Sequence, residues 1–110
     1  MSLDIHLSTT IDGTHLNLTH NLGKMAASVK AEKGTLYQLL WRPEELYIYR
    51  AEDLIEPLTE ALMILISDKE RLSKLNPENG YGDYDGLLKV TIAYLANCQK
   101  FPHGKIEVDR

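Results

Sequence analysis

The chain has 110 residues, a formal net charge of −4, and is 44% hydrophobic and 25% charged. These values fit one globular domain with a single core, and they exclude wholesale disorder and collagen-like repetition. The single cysteine, Cys98, excludes an internal disulfide or a cysteine-based zinc cluster, and the acidic balance argues against a dedicated nucleic-acid surface.

In chain order, Leu3-Asp4-Ile5-His6-Leu7-Ser8 alternates apolar and polar residues, the period of a half-buried strand. Asp12-Gly13 is a turn dipeptide, and His15-Leu16-Asn17-Leu18 alternates again, which predicts a hairpin with Leu16 and Leu18 facing the core. Thr19 is the expected N-cap of a first helix, with Leu22, Met25, Ala26 and Val29 at i, i+3, i+4 and i+7. The polar run Lys30-Ala31-Glu32-Lys33-Gly34 should stop it.

Thr35 can cap a second, short helix through Leu36, Leu39 and Leu40, and Pro43 should end it near Trp41-Arg42. Leu46-Tyr47-Ile48-Tyr49 is ambiguous in pattern, extended or strand-like at best. Residues 51–66 form the main helix, with Leu54, Ile55, Leu58, Leu62, Leu65 and Ile66 on a broad apolar face. Pro57 is harmless there only within the first turn. Ser67-Asp68-Lys69-Glu70 fits a capping box opening a short helix with Leu72 and Leu75.

The segment from Asn76 to Gly86 is dense in turn residues and reads as a loop, with Asp83 or Asp85 capping the last helix. That helix should turn Leu87, Leu88, Ile92, Leu95 and Cys98 inward and end before Pro102 and Gly104. Lys105-Ile106-Glu107-Val108-Asp109 alternates as a final strand. The expected fold is one α+β domain over residues 1–110, mainly helical, with about four helices on a small antiparallel sheet. The N-terminal hairpin and the C-terminal strand would form that sheet.

No basic, apolar leader opens the chain, and the longest apolar run, Ala61 to Ile66, is far short of the roughly 20 residues a membrane span needs. A cytoplasmic protein without membrane contact is expected.

Chemical templates mostly fail. The glycines of the 76–86 loop lack the third position of GxGxxG, and no Gly-Lys-Ser/Thr follows. Asp83-x-Asp85-Gly86 imitates part of a calcium loop, but Tyr81 and Ile92 fall where carboxylates are required. His6, His15, His20 and His103 match no compact zinc spacing. His20, in the expected first turn of a helix, is the best-placed general base, because backbone N–H groups there favour a neutral imidazole and a nearby anion. Ser28 lies in no nucleophile elbow, and Cys98 is expected to be an inert core thiol. Glu44-Glu45 and Glu52-Asp53 read as solvated charges. Trp41-Arg42-Pro43 is the most distinctive element: an aromatic face beside a guanidinium can stack on and fork to a ligand, or sit at the core edge with Arg42 paired to Glu44 or Glu45.

Leu18-Thr19-His20-Asn21-Leu22-Gly23-Lys24-Met25-Ala26, Leu40-Trp41-Arg42-Pro43-Glu44 and Asn76-Pro77-Glu78-Asn79-Gly80-Tyr81-Gly82-Asp83-Tyr84 together resemble a group of small uncharacterised proteins of bacteria and their phages. Tyr81 stands where a tryptophan is commoner in that group, and the Tyr47-Ile48-Tyr49 region matches it less well. The group carries no assigned activity. The resemblance implies a shared ligand or partner surface of His20, Asn21, Trp41, Arg42, Asn79, Tyr81 and Tyr84, without naming a reaction.

Two functions stay open. One is a non-enzymatic interaction or accessory module, acting on an unknown protein partner or a second copy as a homodimer. The other is a small anionic-ligand binding protein or enzyme, with a pocket around His20, Arg42 and the 79–84 loop. No catalytic residue, metal or cofactor is assigned.

Overall fold

The computed structural model describes residues 2–8, 15–19, 22–77 and 82–109, and side chains over 22–77 and 82–108. The chain is mainly helical, with five α-helices among the described residues. Strand β1 (Ser2–Ser8) lies between β2 (His15–Thr19) and β3 (Lys105–Asp109), and both pairings are antiparallel. Ile5 stands opposite Leu16 on one side and Val108 on the other. Thr19 is the last residue of β2, paired across from Ser2, so it does not cap the first helix.

Helix α1 (Gly23–Ala27) is preceded by Leu22, which offers no side-chain cap. It is shorter than its apolar stripe suggests, because the chain turns at Ser28 while Val29 is still buried. The polar run that follows closes a tight turn: Ala31 N–H donates to the Gly34 carbonyl at 2.9 Å, and Lys30 pairs with Thr35. Gly34 leaves room there for the ends of the Leu46 and Gln38 side chains, which would have to shift for a larger residue. A Cβ would lie 2.7 Å from Leu46 Cδ1 and 2.8 Å from Gln38 Oε1.

Thr35 caps α2 (Leu36–Trp41) with a complete capping box. Its hydroxyl accepts from Gln38 N–H at 3.2 Å, and Gln38 Oε1 accepts from Thr35 N–H at 3.0 Å. The helix ends where expected, as Arg42, preceding proline, leaves helical geometry at φ −137°, ψ 51°. Pro43–Leu46 is a 3-10 helix, so Leu46 does not belong to an extended segment, and Tyr47 is left-handed before the chain reaches its bridge at Arg50. There the Tyr49 carbonyl accepts from Ile106 N–H at 2.9 Å, and Arg50 bridges to Lys105 on the outer side of β3.

Helix α3 (Ala51–Ser67) buries Ala51, Leu54, Pro57, Leu58, Ala61 and Leu65. Each fully buried leucine contributes about 2 kcal/mol. Pro57 sits beyond the first turn, so Asp53 has no N–H four residues on to satisfy its carbonyl. Ile66 is 55% exposed, off the expected core face.

The expected capping box at 67–70 does not form. Ser67 is the end of α3, and the Asp68 carboxylate, ahead of α4 (Lys69–Ser73), binds Arg71 Nη2 at 2.9 Å instead of capping. Helix α5 (Tyr84–Lys100) is capped by Asp83, whose Oδ1 accepts from Gly86 N–H at 2.8 Å. It packs against α3 and also touches β2. Its buried stripe is Tyr84, Leu87, Thr91, Tyr94, Leu95 and Cys98. Ile92, expected inward, is 47% exposed because that stripe leaves it on the outer face.

Candidate functional site

Of the seven residues singled out from the sequence, His20, Asn21, Asn79 and Tyr81 lie outside the described residues. The other three can be placed. Trp41 closes α2 and stacks on Tyr37, one turn earlier, with ring centroids 5.2 Å apart and planes at 16°. It is 2% exposed, so its face is spent on the core and is not part of an accessible surface. Arg42 is half-buried at the end of α2. Its neighbour Glu45 takes an amide hydrogen bond from Gln38 Nε2 at 3.4 Å.

Tyr84 is also a core side chain, 3% exposed. Its hydroxyl donates to the Leu65 carbonyl at 2.5 Å, one of the acceptors left over at the end of α3. Its own N–H donates to Asn76 Oδ1 at 2.9 Å. Burial, reinforced by the Asp85 charge, raises the phenol pKa. Tyr84 therefore ties the start of α5 to the end of α3, and it too leaves the proposed contact surface.

Ser28, Cys98 and the Asp83-x-Asp85 stretch are committed to structural roles. Ser28 Oγ donates to the Lys24 carbonyl at 3.2 Å. Cys98 is buried, and burial pushes its thiol up to about 12, which leaves no thiolate near neutral pH. Asp85 falls inside α5, so the stretch that imitates a calcium loop is a capped helix start. Among the described residues no group of three or more His, Cys, Asp or Glu side chains could hold a metal ion. No helix among them is long and apolar enough to cross a membrane.

Two surface features were not anticipated. The first is an open groove of about 540 Å³ between the turn at 31–34 and the first half of α3, lined by Glu32, Lys33, Glu52, Asp53, Glu56, Pro57 and Glu60. Glu60 Oε1 accepts from Glu32 N–H at 3.0 Å and so joins its two walls. The signal was present in the sequence, since Glu52, Glu56 and Glu60 recur at i, i+4 and i+8 on one helix face.

The second is the turn at 47–50. Pro43 and Ile48 are buried beneath it, and Ile48 N–H reaches back to the Pro43 carbonyl at 3.1 Å. Tyr47, between them, adopts the left-handed conformation at φ 58°, ψ 35°, and is 83% exposed. Tyr49 is 56% exposed, and Arg50 Nη1 donates to the His103 carbonyl at 3.0 Å. His103 Nδ1 in turn lies 3.3 Å from Glu52 Oε2. The sequence leaves this segment ambiguous between extended and strand-like, because nothing in its composition marks a left-handed residue.

Compared with models of known protein families, with curated proteins and with solved structures, the chain matches none.

Proposed function

We propose that the chain is a non-enzymatic interaction module whose contact surface is the turn at 47–50, and that its simplest partner is a second copy of itself. The carrying observation is Tyr47. The left-handed conformation costs an L-residue roughly 1–2 kcal/mol, and glycine or asparagine is the ordinary occupant of such a helix end. The turn needs a left-handed residue here, closed by the Ile48 N–H on the Pro43 carbonyl, but a bulky aromatic side chain at 83% exposure adds little burial to offset this cost. Strain retained at an exposed position points to a use outside the monomer. Tyrosine and arginine are the residues that most often anchor interfaces, and Tyr47, Tyr49 and Arg50 lie within four consecutive positions. In a two-fold dimer the same patch meets itself, so tyrosine faces can stack on their equivalents.

In this reading the Trp41-Arg42-Pro43 segment is the turn's support rather than its contact face: Trp41 and Pro43 anchor the end of α2, from which Tyr47 is presented. The helices form one layer on the small antiparallel sheet, whose strand β3 steadies Tyr49 and Arg50. A reducing, cytoplasmic setting goes with a buried free thiol. The anionic-ligand alternative places its pocket around His20, Arg42 and the 79–84 loop; His20 and residues 79–81 lie outside the described residues, and Tyr84 is buried.

Light scattering on the intact protein, with Tyr47→Asn as the comparison, tests the reading. Wild type should self-associate as concentration rises, and the variant should stay monomeric while gaining about 0.5–1 kcal/mol of stability from relieved strain. A wild-type chain that remains monomeric throughout overturns it, as does a variant that associates equally well.

A further inference from the structure

We draw no further inference here: the strongest candidate, the acidic groove between the turn at 31–34 and the first half of α3, is a cluster of carboxylates, and nothing among the described residues shows what would occupy it.

Discussion

Tyr84 and Tyr94 sit on the same buried face of α5, and removing the hydroxyl from each should have opposite consequences. The Tyr84 hydroxyl donates to the Leu65 carbonyl at 2.5 Å in a site 3% exposed. Tyr84→Phe forfeits a hydrogen bond with a net value of about 1 kcal/mol and leaves a carbonyl at the end of α3 without its donor, so a total loss of about 2 kcal/mol is expected. Tyr94 is 1% exposed, and its hydroxyl has no hydrogen-bond partner among the described residues. A buried hydroxyl without a partner costs about 1–3 kcal/mol to desolvate, so Tyr94→Phe should be neutral or stabilising by up to about 1 kcal/mol. The ring, which supplies the packing, is unchanged in both variants. Urea unfolding of the two variants beside wild type measures the difference, and equal slopes would establish that the denatured state is unaltered. A gap of about 2–3 kcal/mol in favour of Tyr94→Phe is expected. If Tyr94→Phe instead loses more than about 1 kcal/mol, its hydroxyl is satisfied, and the account of this helix face is wrong.

Three further outcomes follow from the packing. Gly34→Ala should lose about 1–2 kcal/mol, because the new methyl displaces Leu46 and pulls Gln38 from the α2 capping box; a stabilised variant would show that the site has room. Cys98 should resist thiol reagents in the native state and react only through unfolding. Its raised folded pKa means that the unfolded chain sheds a proton the fold retains. Stability is therefore full below the unfolded value of about 8.5 and falls as pH rises toward about 12, with Tyr94 adding to the loss above about 10. A stability flat from pH 8 to 11 would contradict this. Trp41, the only tryptophan, should emit at short wavelength and resist acrylamide quenching until the chain unfolds; free quenching in the native state would refute its stacked, buried position.

The helical part of the fold was legible wherever local chemistry and burial agree. The α2 cap at Thr35, its stop at Trp41 before Arg42-Pro43 and the cap at Asp83 all rest on interactions within a few residues. Expectations failed where a distant partner claims the residue. Strand pairing takes Thr19, and packing on α3 selects Thr91 and Tyr94 over Ile92 for the inner face of α5; at 67–70 the competitor is local, since Arg71 takes the Asp68 carboxylate three residues away.

Trp41 shows a different limit. Its burial was readable from Tyr37 one helical turn away, since an i, i+4 aromatic pair favours stacking along a helix. Of the two readings of Trp41, the core-edge one lies nearer the structure, in which the ring is 2% exposed. Tyr47 could not have been found at all, because its left-handed backbone arises from two buried anchors, Pro43 and Ile48, closing a turn around it.

The central claim, that the turn at 47–50 is an interface between copies of this chain, is tested most directly by following backbone amide chemical shifts as the protein is diluted. Concentration-dependent shifts should be confined to residues 44–51 and to His103 and its neighbours, and they should vanish in Tyr47→Asn. Shifts that do not change with concentration, or that map to Met63, Ile66 and Ile92 on the exposed faces of α3 and α5, would contradict it.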